Sequence, residues 1–514
     1  MNEMMDTMIT TVAALQHYVD QTPGATLLLF DGRQISFDDV AMAARTYAAH
    51  FAALGLARGD RVALMLPNSP EFVAAYLGAH AARLTAVLIN TAYRATELRH
   101  ILADSAAVLL ITDAAGAREV TPLRADLPAL RHVLTIPGPM PEATAAAIAA
   151  PPWPSDGPQP GDIALLAYTS GTTGRAKGAM LSHANLLRNS AAVTQAWRWS
   201  RSDRLLLTLP LFHIHGLGVG LHGALLTGSS IDLRRNFDAE AALATLARGE
   251  TTLFFGVPTM YARLLQRADA MDTEAIDATI AAMRVRLFVS GSAPLSEQIF
   301  AAFARRFGQP ILERYGMTET VMNTTNPYDG ERRAGTVGVP FPGQEARVVD
   351  VATRQDLPDG AHGEIQVRGP HVFAGYWRQP EATAAAIDGD GWFSTGDLGW
   401  RDADGYYTIA GRARELIISG GYNIYPREVE EVLAQHPAVR EVAVVSRPDA
   451  EYGERVVAYV VAEDAALASE ATATELIGWC RARLASYKKP SEIRFVAQLP
   501  RNALGKVQKH LLSE

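Results

Sequence analysis

A single cysteine, Cys480, among 514 residues leaves no disulfide framework to staple the fold and no thiolate cluster for zinc. That usage fits a reducing compartment, and the cytoplasm is the expected location. No stretch of about 18 uncharged apolar residues occurs, so no membrane-spanning helix is expected. Met1 to Met8 carry Glu3 and Asp6 and no cationic segment ahead of an apolar run, so no secretory or organellar signal is expected. Excess positive charge is missing too. The 47 Lys and Arg face 55 Asp and Glu, a net charge of −8, which argues against nucleic acid or an anionic membrane as the main partner. Anionic ligands must then be held by local fields.

What the chain does have is length and apolar content. With 514 residues and 48% hydrophobic side chains it exceeds what one core usually serves, so at least two domains are expected. From residue 25 to about 350, short β-rich runs alternate with alanine-rich helical stretches, the pattern of α/β layers around largely parallel sheets. Arg61 to Leu66 precedes a helix opened by Ser69-Pro70-Glu71, and Val108 to Thr112 precedes a helix near Ala114. Residues 136 to 161 are Pro-rich and read as a surface linker. After about 350, short strands with tight turns, such as Gly363 to Gly369 and Asp402 to Tyr407, predict an antiparallel subdomain. Beyond Gly411-Arg412 come a helix from Pro426 to Gln435 and strands at Val439 to Val445 and Arg455 to Val461, enough for a small α+β unit. The expected fold class is α/β: a large N-terminal domain, 1–412, of layered sheets plus the antiparallel subdomain, and a small C-terminal lid, 413–514. The hinge is placed at Ala413 to Glu415, with Arg414 absorbing the dihedral change.

The densest chemistry lies in Tyr168-Thr169-Ser170-Gly171-Thr172-Thr173-Gly174-Arg175-Ala176-Lys177. Gly171 and Gly174 let backbone N–H groups approach an anion without Cβ interference; the hydroxyls add donors, and Arg175 and Lys177 add charge. The apolar run Ile163 to Ala167 before it reads as a buried strand, so the loop hangs from a sheet edge. A Walker loop needs Gly-Lys-Ser/Thr, and the order here is Gly174-Arg175-Ala176-Lys177-Gly178, so a P-loop ATPase is excluded.

In chain order follow Leu209-Pro-Leu-Phe-His-Ile-His-Gly216, Ser290-Gly-Ser-Ala-Pro-Leu295, Glu313-Arg-Tyr-Gly-Met-Thr-Glu-Thr320, Ser394-Thr-Gly-Asp397, Gly411-Arg412, Gly420-Gly-Tyr-Asn-Ile-Tyr-Pro426 and Pro500-Arg-Asn-Ala-Leu-Gly-Lys506. With the Ser/Thr/Gly loop, this series resembles the acyl-adenylate-forming superfamily, which includes acyl-CoA synthetases, nearly end to end. The resemblance implies ATP and CoA as co-substrates and Mg²⁺ as cofactor. Joining a carboxylate to the α-phosphate of ATP brings two anions together, and unit charges 4 Å apart repel by about 1 kcal/mol in water and roughly 4 kcal/mol at an effective dielectric of 20. Lys506, carried by the lid, is implied to bridge them in the first half-reaction, with Lys177 and Mg²⁺ as further screening charges.

Glu319 is the expected magnesium anchor, beside a Thr318 hydroxyl suited to a phosphate oxygen. Tyr315 offers a face to adenine, with Gly316 beside it and Gly291, Ser292, Ala293 and Pro294 as a backbone-lined slot. Asp397 suits the ribose hydroxyls, supported by Arg412. The ATP grip is Thr169 to Gly174 with Lys177. For CoA the expected contacts are Gly420, Gly421, Tyr422 and Lys489, with Tyr487 and Lys488 near a phosphate. His213, Arg286, Ser290 and Met317 are the expected acyl-pocket residues.

The stretches Glu313 to Asp329 and Arg286 to Pro294 resemble malonyl-CoA synthetases. A dicarboxylate needs a cation for its second carboxylate, and Arg286 is the first candidate, ahead of Arg234 and Arg235. Fatty or aromatic acyl-CoA synthetases, and adenylation enzymes loading a carrier protein, are the competing readings. Expected partners are a small carboxylic acid, ATP and CoA, with no nucleic acid and no membrane span; a homodimer stays open. Two motifs are weighed as decoys: Gly218-x-Gly220-x-x-Gly223 with Asp238 about 20 residues on, which imitates a dinucleotide fingerprint, and His213/His215, which imitates a metal pair. A larger residue at Gly421 is expected to block thioester formation while sparing adenylation, measured as CoA-dependent thioester yield against carboxylate-dependent exchange of pyrophosphate into ATP.

Overall fold

Helix starts follow from local chemistry. Ser69 accepts from the backbone N–H of Phe72 at 3.2 Å with Pro70 in the first turn, and the helix Pro70–Ala81 begins there. All twelve of its residues are buried, so it runs through the interior rather than along the surface. Ser36 with Asp39 and Ser182 with Asn185 form capping boxes that open Phe37–Ala53 and His183–Ala196. The computed structural model describes residues 8–136, 152–169, 176–419, 422–449, 452–502 and 505–512.

Two large, mainly parallel sheets make the N-terminal domain. One has nine strands, in which Arg204–Leu207, Leu253–Gly256, Leu287–Ser290 and Leu312–Tyr315 lie side by side in parallel. The other has seven, with Arg61–Met65 between Thr85–Leu88 and Leu109–Thr112. Core residues from both, including Leu28, Leu207, Leu64 and Leu165, belong to one continuous cluster that also holds Phe72 and Tyr76 of the central helix. The strands Glu345–Val349, Gly363–Arg368, Phe393–Arg401 and Tyr407–Arg412 form the expected antiparallel sheet, starting at 345 rather than 350. The C-terminal unit has a five-stranded sheet and the helices Pro426–Ala434 and Glu470–Arg483 around its own core of Ile417, Val429, Leu433, Val456, Leu476 and Cys480. The α/β fold is as expected.

One expectation changes. Strand Ile163–Thr169 is interior to the seven-stranded sheet, and the loop after it joins it to Lys177–Ser182 as an antiparallel hairpin, Thr169 facing Lys177, so the loop does not hang from an edge strand. Of the Pro-rich segment, 137–151 lies outside the described residues. The dinucleotide decoy resolves as packing. His215–Leu221 is a π-helical turn running into His222–Thr227; a Cβ on Gly223 would collide with the Trp199 indole, and one on Gly220 would stand 3.0 Å from Leu207. Asp238 caps Ala239–Leu246 through the N–H of Ala241 at 2.8 Å.

Beside the central helix lies a buried histidine cluster. His80 donates Nε2–H to the Ala164 carbonyl at 3.0 Å and accepts at Nδ1 from the Thr11 hydroxyl at 2.6 Å, which fixes a neutral tautomer. Its ring stands 4.6 Å from that of His183, and His222 pairs with the Tyr76 hydroxyl at 2.9 Å. Burial holds His183 and His222 down to about 3 and His80 well below its ordinary value. Unfolded imidazoles take up protons as pH falls through 6.5 while these do not until about 3, so stability is lost progressively below 6.5. At pH 5 the loss is up to about 2 kcal/mol per histidine. The thermal midpoint is expected to fall between pH 7.5 and 5, with a shallower fall in His183→Gln and His222→Gln; unchanged slopes in both would place the acid sensitivity elsewhere.

Candidate active site

A cavity of about 800 Å³ opens where the carboxyl ends of the parallel strands meet the antiparallel sheet and the C-terminal unit. Ligand crevices of α/β sheets form at such ends, because the loops that leave the strands there are free to carry side chains. Strand Ile163–Thr169 delivers Thr169, and the next strand starts with Lys177. The segment after Arg204–Leu207 delivers Phe212, His213 and His215; the turn after Leu287–Ser290 delivers Ser292; and Leu312–Tyr315 runs into Gly316, Met317, Thr318 and Glu319. Thr395, Gly396 and Arg412 come from the antiparallel sheet. Asn502, Lys506 and Gln508 complete the wall from the C-terminal unit. Lys506, about 190 residues after Glu319, thus shares one cavity with it.

Glu319 is 6% exposed, and its Oε1 accepts from the Tyr376 hydroxyl at 3.0 Å and the Thr169 hydroxyl at 3.4 Å. Burial pushes its carboxyl up, opposed by the Tyr376 hydrogen bond and the Arg412 charge. Lys177 Nζ stands 5.1 Å over the Tyr376 ring, a cation–π contact, and Lys177 lines the cavity. Arg412 pairs with Asp397 at 2.7 Å and donates to the Thr395 carbonyl at 3.1 Å. The Tyr315 hydroxyl donates to the same Asp397. Tyr315 and Asp397 therefore stand behind the wall, locked to each other, while Gly396 and Arg412 form its surface.

The cation that sequence reasoning overlooked is Arg314. It is 2% exposed and lines the cavity, and its Nε and Nη2 meet no hydrogen-bond partner among the described residues. The two-residue period of its strand sends Glu313 and Tyr315 to one face and Arg314 to the other, so the adjacent carboxylate forms no pair with it. Burial pulls the guanidinium down to about 9. His213 and His215 lie beside it. Burial, then the Arg314 charge, holds His213 down to about 4 and His215 well below the usual range, so both are neutral at pH 7. His215 Nδ1 meets Ser292 Oγ at 3.2 Å, and its Nε2 is buried with no partner among the described residues. Ser292, at φ 68°, and Val321, at φ 58°, are two of the eight non-glycine residues with left-handed backbone among the described residues, and both stand on this wall. The signal available in the sequence was an arginine inside a short buried strand, a position arginine takes only for a reason.

Several expected residues stand elsewhere. Arg286 makes a bidentate pair with Asp203, both contacts 2.8 Å, and donates to the carbonyls of Trp197 and Arg198, so it is committed away from the cavity and cannot read a substrate there. Arg234 pairs with Asp232 and Arg235 with Asp31. Ser290 is fully buried at its strand end, off the wall, and Ala293 and Pro294 are off it as well. Tyr422 is 57% exposed and stacks on Tyr487 at 4.5 Å, on the C-terminal unit and outside the cavity. Lys488 pairs with Glu428 at 2.6 Å, while Lys489 donates to the Ser486 carbonyl. Ser170, Gly171, Thr172, Thr173, Gly174, Gly420 and Gly421 lie outside the described residues, and Arg414 falls in the turn Ala413–Glu415. Among the described residues no cluster of three His, Cys, Asp or Glu could hold a metal, and no helix is long and apolar enough to cross a membrane.

The profile of the AMP-binding enzyme family matches residues 15–377, and that of the AMP-binding enzyme C-terminal domain matches 428–506. The chain belongs to this acyl-adenylate-forming family and is an AMP-forming acyl-CoA ligase, with ATP and CoA as co-substrates. It is 40% identical to a sulfoacetate–CoA ligase of Cupriavidus necator over 99% of this chain and 97% of that one. It is 36% identical to a malonate–CoA ligase of Arabidopsis thaliana, covering 90% and 78%. Among solved structures, ATP-bound MatB from Rhodopseudomonas palustris aligns over 98% of both chains at 39% identity with a TM-score of 0.89, against 0.80 for its apo form.

A Cβ on Gly291 would collide with the Arg314 guanidinium, which packs flat against that backbone. Gly291→Ala is therefore expected to displace Arg314 and lower kcat/KM for the acid at least tenfold with ATP and CoA held saturating; an unchanged value would show that Arg314 does not shape the acid's site.

Proposed function

We propose that this ligase activates a short acid whose second anionic group lies one methylene from the carboxylate, malonate first and sulfoacetate as its close competitor. The observation that carries this is Arg314, a buried guanidinium on the cavity wall with two N–H-bearing atoms unpartnered among the described residues. A carboxylate or sulfonate is the group that would satisfy it, because a planar guanidinium matches paired oxygens and a desolvated charge without a counter-ion is costly. A fatty or aromatic chain there would leave the same charge against carbon. Met317 and Met322, on the same wall, keep the space beside it small. Malonate is favoured by the resemblance of the Glu313 to Asp329 stretch, and sulfoacetate by the relative from C. necator.

The remaining roles follow from charge. Lys506 and Lys177 screen the approach of the acid carboxylate to the α-phosphate, and the neutral His213 and His215 let Arg314 act without a third positive neighbour. Glu319 and the Thr169 hydroxyl beside it are hard oxygen donors, and burial raises the Glu319 carboxyl, which a cation would offset; this fits Mg²⁺. With no three-ligand cage among the described residues, phosphate and water oxygens would complete its shell, and the ion would supply charge neutralisation on the phosphates. Gly420, Gly421, Tyr422 and Lys489 are assigned to the CoA step, and Ala413 to Glu415 to the hinge between domains 1–412 and 413–514.

The test is AMP and thioester formation with ATP, Mg²⁺ and CoA, using malonate, sulfoacetate, methylmalonate, acetate and octanoate in separate reactions. One of the two dianions is expected to exceed acetate and octanoate by at least a hundredfold in kcat/KM, and Arg314→Met to erase most of that advantage. Octanoate or acetate in the lead would overturn the reading.

A further inference from the structure

Lys506 can stand in the cavity only if the C-terminal unit is seated on the large domain, and one side chain there is built for seating. Arg427 lies in the first turn of helix Pro426–Ala434, where the positive end of the helix dipole disfavours a cation. It is nonetheless 8% exposed. Its Nε pairs with Glu431, one turn on, at 2.7 Å. Its other two nitrogens leave the unit altogether: Nη1 donates to the Ile409 carbonyl at 2.6 Å and Nη2 to the Gly335 carbonyl at 3.5 Å, both in the large domain. The helix dipole disfavours a cation at its start, and within the helix only the pair with Glu431 offsets it, so the outward bonds are the side chain's main use. Beyond them, Gln298 of the large domain donates to the Ala434 carbonyl at 2.7 Å, so the same helix is held at both ends. The Arg427 charge also reaches the strand that carries Arg314: Glu313, pushed up to about 7 by burial, is drawn back first by Arg427.

We infer that Arg427 is the positioning residue that clamps the C-terminal unit onto the large domain with Lys506 in the cavity, and that acyl-adenylate formation depends on it while thioester formation does not. Arg427 touches neither cavity nor substrate. It acts through Lys506, and the inference rests on the proposed role of Lys506 in joining acid and α-phosphate. Backbone carbonyls accept the clamp's bonds, so its removal must be made on the arginine itself. Lys506→Ala, Arg427→Met and Arg427→Lys are compared with the parent enzyme, with whichever of malonate and sulfoacetate it turns over. Two rates are read: acid-dependent exchange of pyrophosphate into ATP, and thioester formation from the preformed acyl-adenylate and CoA. Arg427→Met is expected to lose exchange at least tenfold and keep thioester formation within about twofold, which also shows that it folds. Arg427→Lys, keeping charge but not the planar geometry, is expected to restore part of the exchange. If Lys506→Ala retains exchange, the role of Lys506 falls and this inference with it. If Lys506→Ala loses exchange but Arg427→Met does not, or if Arg427→Met loses both rates equally, the clamp alone is overturned.

Discussion

Two like charges have to be brought into contact before any bond can form between a carboxylate and a phosphate, and the molecule is organised around that repulsion. It is acidic overall, so the anions it binds must be held by local fields, and one cavity wall gathers such a field. Arg314, Arg412, Lys177 and Lys506 all stand there, contributed by separate stretches of chain. Burial makes the Arg314 charge effective because little water remains to screen it. It also makes that charge expensive, which is why the imidazoles beside it are neutral, while Arg412 carries Asp397 with it.

The fold makes such a wall possible by giving it a rigid back. Parallel strands end together at the cavity, and helix Pro70–Ala81, buried on all sides, ties the two large sheets into one core. Glycines matter where backbones or rings press close. Gly291 lets Arg314 lie flat against the chain, and Gly223 accommodates the Trp199 indole. Ser292 and Val321, on the wall itself, keep left-handed backbone that the surrounding core holds in place. The C-terminal unit has a separate core and meets the large domain through polar contacts such as those of Arg427 and Gln298.

Arg286 and Arg314 show what a sequence leaves hidden. Both are arginines next to motif residues, and either could serve a second anion. Arg286 is claimed by Asp203, a partner 83 positions earlier that no local pattern couples to it. Arg314 is left over because strand alternation turns it away from its neighbour Glu313. Similarly, the Gly218 to Gly223 run has the letters of a nucleotide loop, and only its place against Trp199 and Leu207 shows that packing uses those glycines.

By itself the sequence determined the family, the α/β class and the main helix starts, and it marked out the candidate loop segments. These depend on short-range rules: capping residues, apolar periodicity, and hydroxyls, glycines and cations at fixed spacing. Tertiary structure alone decided which cations face the cavity, which carboxylates neutralise the others, and that Lys506 and Glu319 share one wall. Those outcomes turn on pairings across scores to hundreds of residues, and a buried charge takes its value from the partner it meets or lacks there.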